Sequence, residues 1–234
     1  MNFQKLSAPS LKELFVTELE NKILSGELAI GSRLPSEREL AASMQVSRAV
    51  VNSGIAEMEK KGFLVVKPRI GTFVEDYRRN GTLDTLVSIM KFNGGTIGKN
   101  EIRSILEIRI VLVGLACRLA IKECSDEELQ SLLPLLEECQ KMNTNDEIVE
   151  ATFKLYHTLA FIGGNSLLPL FFMSFKDLVT RLWMRFVIKY GINALIESNT
   201  QFVNLILARD IDQLMAFVSS TTQESIDGSK TIYF

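Results

Sequence analysis

Three arginines in the first third of the chain stand where their guanidinium groups could bind a nucleic acid. Arg38 and Arg48 each fall at the start of a predicted helix, and Arg69 falls at the tip of a predicted hairpin. A guanidinium group can fork onto a guanine edge or onto a phosphate. Residues 31–74 contain seven basic and four acidic side chains, whereas the whole chain has a net charge of −2. Any nucleic-acid surface must therefore be local, and ordinary solvated surface charge is the alternative explanation of each arginine.

The residue types needed for catalysis or for a protein-built metal site are scarce. The chain contains one histidine and three cysteines, Cys117, Cys124 and Cys139, without C-x-x-C spacing. We interpret the cysteines as reduced, partly buried thiols of a cytosolic protein. The sequence has no phosphate-binding loop, no G-x-S-x-G element and no paired carboxylates that would suit general acid–base catalysis. This pattern does not favour an enzyme.

The composition is typical of a soluble protein with one large or two small domains. The chain has 234 residues, of which 47% are hydrophobic and 23% are charged. Residues 1–10 lack the apolar core of a signal peptide, so we expect a cytoplasmic protein. The most apolar stretch, Ser166–Ile188, includes Lys176, Asp177, Arg181 and Arg185. We predict that it is a buried helix rather than a membrane span.

Capping residues place three short helices in the first 62 residues. Ser10 is expected to cap the first helix, and Ser36 with Glu39 forms a capping box for the second. Ser47 is expected to cap the third helix, which ends at Gly62. Gly54 lies inside this third helix and should cost about 1 kcal/mol relative to alanine.

Two β-rich runs follow the third helix and predict a hairpin. Residues 63–66 and 72–74 are the strands, and residues 67–71 form the tip. The predicted order is three helices, with a tight turn between the second and the third, followed by a two-stranded hairpin. This is the order of a winged helix-turn-helix, in which the third helix fits a DNA major groove. We place this DNA-binding domain at residues 1–76 and a polar linker at residues 77–81.

The remainder, residues 82–234, shows helical periodicity and no convincing strand. Helices are predicted at about 83–90, 99–123, 125–142, 146–162, 166–190, 192–208 and 211–226. The predicted fold class is therefore mainly α, with a winged helix-turn-helix followed by an all-helical antiparallel bundle of six or seven helices.

The first third of the chain contains three short motifs: L-P-S-E-R-E-L-A at residues 34–41, V-S-R at residues 46–48 and P-R-I-G-T-F-V at residues 68–74. With these motifs, this part of the chain closely resembles the GntR family of bacterial transcription regulators. The helical remainder resembles, more weakly, the ligand-binding domain of the FadR-like, or FCD, subgroup. That second match is clearest at residues 156–165 and 178–181. The resemblance implies a ligand-responsive regulator that binds operator DNA as a homodimer.

The resemblance also implies which residues contact DNA, and the residue chemistry agrees with it. The implied contacts are Arg38, Ser47, Arg48, Ala49, Asn52, Arg69 and Gly71. Ser47 offers a hydroxyl at a helix N-terminus to a phosphate, and Gly71 allows a close backbone approach. Asn52 departs from the family pattern, which has arginine there. Because asparagine suits adenine rather than guanine, we expect an operator that differs from the usual one at this position.

Many FCD domains hold a divalent metal through one aspartate and three histidines. The corresponding positions here are Phe153, His157, Asn199 and Thr221, so only one strong ligand remains. We expect no metal cofactor.

We expect an acidic effector to bind in the helical domain, at Arg109, His157, Arg181, Trp183 and Asn199. The cavity-facing role of Arg109 is implied by the resemblance, and a ligand carboxylate or phosphate would partner the cation. Surface-reaching or salt-bridged arginines and plain core aromatics are the alternatives. An acyl-CoA or a fatty acid is one candidate effector, and a small organic or sugar acid is the other.

An enzyme and a protein-interaction adaptor that reuses a winged helix remain as remote alternative functions.

Overall fold

The computed structural model describes residues 8–92 and 99–232. The chain divides into two compact units, Met1–Ile97 and Gly98–Phe234. The predicted fold class is confirmed, because three helices and an antiparallel hairpin are followed by an all-helical domain.

The three helices of the winged helix-turn-helix begin at the capping residues that the sequence predicts. They are α1 (Leu11–Leu24), α2 (Glu37–Ser43) and α3 (Arg48–Lys60), with the N-caps Ser10, Ser36 and Ser47. The predicted capping-box partner Glu39 in α2 reaches back to Ser36, and Glu13 in α1 forms the same arrangement with Ser10, which was not predicted. Side chains from all three helices, including Phe15, Leu40 and Met58, bury together in one apolar core.

The hairpin consists of β1 (Leu64–Lys67) and β2 (Gly71–Val74), which pair antiparallel with Leu64 opposite Val74. The loop before α2 adds a third extended segment that the sequence did not predict. Arg33 bridges Phe73, and the amides of Gly31 and Leu34 donate to the carbonyls of Val74 and Thr72. The wing is therefore tied directly to the loop that leads into α2.

Two further helices follow the wing in the first unit: α4 (Tyr77–Asn80), in the predicted polar linker, and α5 (Leu83–Lys91). The buried Thr85 hydroxyl donates to the carbonyl of Lys61, and the buried Ser88 hydroxyl donates to Glu20 at 2.7 Å. Lys61 also donates to Glu20 at 2.9 Å. These contacts join α5 to the winged helix, although α5 follows the polar segment 77–81 that was predicted to be the linker.

The described part of the second unit contains eight helices. They are α6 (Lys99–Glu123), α7 (Asp126–Gln130), α8 (Leu133–Lys141), α9 (Asn145–Ile162), α10 (Leu168–Ser174), α11 (Lys176–Tyr190), α12 (Ile192–Leu207) and α13 (Ile211–Asp227). Two predicted helices are each divided in the structure, one between α7 and α8 and the other between α10 and α11. Pro134 in the first turn of α8 explains the first division, since proline is tolerated there but not in a helix interior.

The apolar core of the second unit lies among α6, α9, α12 and α13. Cys117 is fully buried in it, and burial raises the pKa of this thiol to about 12. Cys124 and Cys139 are also buried, and all three cysteines are free thiols.

The prediction that Ser166–Ile188 is a buried helix is wrong for much of the segment, because Leu167, Leu170 and Met173 are exposed. Within residues 8–92 and 99–232, no helix combines the length and the apolar character needed to cross a bilayer.

Candidate nucleic-acid interface and ligand cavity

The N-terminus of α3 presents one exposed polar face. The hydroxyl of Ser47 accepts the backbone N–H of Val50 at 3.3 Å, which fixes the start of the helix. Ser47, Arg48, Ala49 and Asn52 are all exposed, because the apolar side of the helix faces the core. A helix N-terminus with free backbone N–H groups favours an anion such as a phosphate.

The predicted DNA-contacting arginines lack acidic partners. Among the described residues, no carboxylate lies within 4.0 Å of Arg38, Arg48 or Arg69 in an ion pair. Two lysines of the same unit differ from them, since Lys12 pairs with Glu57 at 2.8 Å and Lys61 pairs with Glu20 at 2.9 Å. These three arginines are therefore available to an external anion, as are Arg33, Lys60 and Lys67, which also have no ion pair among the described residues.

The tip of the wing has a constrained backbone. Arg69 has a φ of +63° and Gly71 has a φ of +139°. A Cβ atom on Gly71 would lie 2.7 Å from Nε of Arg33, so the guanidinium of Arg33 packs directly over the glycine. Lys67 lies over the ring of Phe73, with Nζ 4.9 Å from its centroid. Arg33 and Lys67 therefore extend the basic surface of the wing.

Arg33 and Lys67 were not among the DNA-contacting residues expected from sequence. The contact between Arg33 and β2 is non-local, so no short motif predicts it.

Asn52 is held by its neighbours. With the side-chain amide oriented to satisfy its surroundings, Nδ2 donates to Oε2 of Glu37 at 2.7 Å and to the carbonyl of Arg48 at 3.1 Å. The exposed Asn52 is therefore tied both to α2 and to the preceding turn of α3.

In the second unit, Arg109 is a half-buried cation on α6. Its Nη1 donates to the hydroxyl of the buried Thr222 at 2.7 Å. Its guanidinium carbon lies 5.5 Å from the ring centroid of Tyr156 and 5.9 Å from that of Trp183. None of the described carboxylates pairs with it within 4.0 Å. Aromatic faces and one hydroxyl thus hold the cation without neutralising it.

Tyr156 is fully enclosed beside this cation. Burial raises the pKa of its phenol, and the positive charge of Arg109 opposes the shift only in part. The phenol is therefore neutral and leaves the charge of Arg109 uncompensated.

Arg109 lines a cavity of about 180 Å³. About half of its lining residues are apolar, including Leu106, Leu182, Trp183, Phe186 and Phe217. The others are polar or charged, among them Ser198, Thr221, Glu197, Glu224 and Lys230. This arrangement can accept a small ligand with one acidic group.

The structure brings together some of the predicted effector-binding residues and separates others. Arg109 and Trp183 line the same cavity. Arg181 is exposed and does not line it, and His157 lines a different depression with Phe153 and Met173. Asn199 is fully buried; its Nδ2 donates to Thr152 at 2.8 Å, and its Oδ1 has no partner among the described residues.

The positions that correspond to the family metal ligands do not form a metal site. Phe153 stacks on His157, with the ring centroids 5.7 Å apart. Thr221 donates to the carbonyl of Phe217 within its own helix. No group of three or more potential His, Cys, Asp or Glu ligands occurs in the described part of the chain. A phenylalanine, one histidine and neutral oxygens are a poor donor set for a divalent cation, so these residues do not fit the metal.

Comparison with known families identifies both units. The model described as "Bacterial regulatory proteins, gntR family" matches residues 12–74, and the FCD domain model matches residues 104–222.

Several regulators are similar in sequence. The chain is 33% identical over 133 residues to the HTH-type transcriptional regulator Mce2R of Mycobacterium tuberculosis, and this match covers 57% of the chain and 55% of that protein. The chain thus spans about half the length of that relative. It is 26% identical over 195 residues to the HTH-type transcriptional regulator LutR of Bacillus subtilis, covering 80% of the chain and 86% of LutR. It is 28% identical over 152 residues to the fatty acid metabolism regulator protein of Shewanella pealeana, covering 65% of the chain and 62% of that protein.

One solved structure supports the fold as a whole. It is described with the words "Lar controls the expression of the Listeria monocytogenes agr system and mediates virulence". The TM-score is 0.63 at 16% identity, and the match covers 96% of this chain and 98% of that one.

Proposed function

Because the chain belongs to the GntR family of bacterial regulatory proteins and carries an FCD domain, we propose that it is a transcription regulator that binds operator DNA as a homodimer and responds to a small acidic effector. The family is one of regulators rather than enzymes. The effector would change operator affinity by shifting the population of conformations that bind DNA.

The single observation that carries the DNA-binding role is the set of unpaired arginines on the winged helix. Arg38, Arg48 and Arg69 have no carboxylate partner among the described residues, and Arg48 is the first residue of the exposed N-terminal turn of α3. Phosphates would supply the missing partners, and base edges would be read from the exposed turn of α3.

Binding to the DNA upstream of the protein's own gene tests this role. We expect a complex that weakens steeply with salt, because each cation on a phosphate releases counterions. Arg48→Ala should reduce the affinity about tenfold. The matched control is Lys12→Ala, which removes a cation already paired with Glu57 and should change the affinity little. Equal losses in the two variants would argue against the proposed interface.

A stripe of exposed apolar residues on α6 supports the homodimer. Ile108, Val111 and Leu115 are 46%, 68% and 40% exposed and follow one another at helical spacing. Glu107 precedes the stripe and Arg118 follows it, both exposed. In an antiparallel two-fold pairing of α6 with its copy, the apolar residues meet at the centre. Arg118 of one helix then approaches Glu107 of the other, whose carboxylate also pairs with Arg103 of its own helix at 3.1 Å.

The cavity at Arg109 supports a small acidic effector. A guanidinium group can bind a carboxylate with two parallel hydrogen bonds, and the low-dielectric aromatic surroundings strengthen such a pair. The cavity volume of about 180 Å³ is below the roughly 300–1,000 Å³ that is usual for drug-sized ligands. An acyl-CoA is larger than a drug-sized molecule, so the size of the cavity favours a small organic or sugar acid over it.

Thermal unfolding with a panel of ligands tests the effector class. A ligand that binds only the folded state raises the melting temperature. We expect a rise with one or more small carboxylic or sugar acids, and its loss in Arg109→Ala. Arg181→Ala, an exposed arginine outside the cavity, is the matched control and should keep the response. A rise with acyl-CoAs but with none of the small acids would contradict this assignment.

A further inference from the structure

Both amide hydrogens of Asn52 are already used inside the protein. One is donated to Oε2 of Glu37 at 2.7 Å and the other to the carbonyl of Arg48 at 3.1 Å. A side-chain amide has only two donor hydrogens, so what remains for an outside partner is the acceptor oxygen. Asn52 is exposed one turn after Arg48, on the face of α3 assigned above to DNA.

We propose that Asn52 reads the operator as a hydrogen-bond acceptor only and therefore selects cytosine or adenine at one position. This inference rests on the proposed DNA-binding function. In the major groove, the N4 amino group of cytosine and the N6 amino group of adenine are donors that the Asn52 oxygen can accept. Guanine offers N7 and O6, and thymine offers O4, all of which are acceptors that would face another acceptor.

This reading differs from the usual asparagine–adenine pair. That pair needs the amide to donate to N7 while its oxygen accepts from N6. Because Glu37 and the carbonyl of Arg48 hold both hydrogens, Asn52 has no donor for N7. Adenine then loses its advantage over cytosine, and the expectation from sequence that Asn52 selects adenine is replaced by a two-base preference.

Glu37 is the positioning residue in this arrangement. It lies at the first position of α2, half-buried, and its carboxylate fixes the amide across the helix–helix contact. Removing this acceptor releases one hydrogen of Asn52, which can then turn towards N7 of adenine. Specificity at the Asn52 position is thus set by a residue that need not touch the base itself.

The experiment begins with selection of random duplex DNA by the full-length protein, followed by sequencing. The position read by Asn52 is then identified as the one whose base preference disappears in Asn52→Ala. Affinities are measured by fluorescence anisotropy for four duplexes that differ only at that base pair. We expect similar affinities for cytosine and adenine, and affinities for guanine and thymine lower by about fivefold, which corresponds to one hydrogen bond.

Two variants of Glu37 test its positioning role. Glu37→Ala should convert the position to a preference for adenine over cytosine. Glu37→Gln is the matched control, since its side-chain oxygen still accepts from Asn52, and it should keep the two-base preference. Circular dichroism of each variant confirms that the winged helix remains folded.

The outcomes separate this inference from the function on which it rests. If no duplex is selected at all, the DNA-binding proposal fails. If DNA is selected but Asn52→Ala alters no position, or the wild-type protein takes adenine or guanine alone there, the acceptor-only reading is overturned. Glu37→Ala with unchanged cytosine and adenine affinities overturns the role of Glu37.

Discussion

Gly54 lies under the ring of Phe15, in the contact between α3 and α1. A Cβ atom at this position would be 2.6 Å from Cε1 of Phe15, and Phe15 is itself buried in the core of the first unit. From sequence, this glycine was expected to cost helix stability relative to alanine. The structure gives the reason for the glycine, because no side chain fits between the two helices.

We predict that Gly54→Ala destabilises the first unit by up to about 2 kcal/mol, since overpacking of the core costs about 1–3 kcal/mol and the gain in helix propensity offsets only about 1 kcal/mol of it. Urea unfolding of the full chain measures the difference. Ser53→Ala is the control at the neighbouring exposed position, where propensity alone acts, and it should be neutral or slightly stabilising. A stabilised Gly54→Ala protein would contradict the packing argument.

For single residues, the sequence predicted features that depend on nearby residues and missed contacts with residues that are distant along the chain. The cap at Ser47 involves a bond to Val50 only, so the pattern sufficed. The packing of Phe15 on Gly54 joins α1 to α3 and has no local signal.

The position of His157 shows a second limit of prediction from sequence. A family pattern mapped along α9 does not fix which face of the helix each residue occupies, and a shift of one residue turns a side chain by about 100°. Thr152 and Tyr156 face Asn199 and Arg109, whereas Phe153 and His157 face a separate depression.

Among the elements, the wing depends on the absence of a side chain at Gly71. Its φ of +139° suits glycine, and Arg33 packs over it. We predict that Gly71→Ala displaces Arg33 and shifts the hairpin tip, which lowers DNA affinity about tenfold while the helical core stays folded. Anisotropy titrations and the melting temperature measure the two effects. Unchanged affinity would show that the shape of the wing does not matter for binding.

The capping box of α2 gives this element a pH dependence. The hydroxyl and the amide of Ser36 both donate to Glu39, and they hold the pKa of this carboxyl below its ordinary value of 4.5. The ionised form therefore stabilises the folded state above pH 4.5, and this contribution is lost as the pH falls through the lowered pKa.

We predict that the wild-type protein has a higher free energy of unfolding than Glu39→Gln. This difference should be constant near neutral pH and should decrease in acid. Unfolding by urea at a series of pH values measures it. A difference that does not vary with pH would contradict the prediction.

Element boundaries were predicted where the signals were strong. The prediction of a helix over 99–123 matches α6 residue for residue. The division before α8 had a signal in Pro134 that the periodicity concealed. The division between α10 and α11 at Phe175 had no sequence signal, because neither proline nor glycine lies beside this residue. The backbone of Phe175 leaves the helical conformation, with a φ of −97° and a ψ of 5°.

For the whole molecule, the grouping of α5 with the winged helix depends on long-range polar contacts. Ser88 and Lys61 both donate to Glu20, and these residues are far apart in the sequence. Burial opposes the charged form of Lys61, but Glu20 and Glu57 outweigh it, so the pKa of Lys61 is raised and the amine stays charged. Composition marks the polar segment at 77–81, but it cannot reveal a helix beyond that segment that folds back onto α1 and α3.

The exposed stripe on α6 makes a prediction about the assembly. A glutamate in place of Val111 would put two carboxylates close together at the proposed two-fold axis and would bury them without partners, which is strongly unfavourable. We therefore predict that Val111→Glu is monomeric at micromolar concentration and loses cooperative binding to a two-half-site operator, because each winged helix then contacts DNA alone. Sedimentation velocity measures the first effect and anisotropy the second.

Ile188→Glu is the matched control for this experiment. Ile188 is 61% exposed against 68% for Val111, and it lies on α11 of the same unit rather than on the stripe. The added charge and the lost apolar area are therefore comparable, and only the location differs. If the α6 stripe is the dimer contact, Ile188→Glu stays dimeric and binds the operator as the wild-type protein does. If both variants are dimers, the dimer contact does not lie on the α6 stripe. If only Ile188→Glu is a monomer, the contact lies on α11.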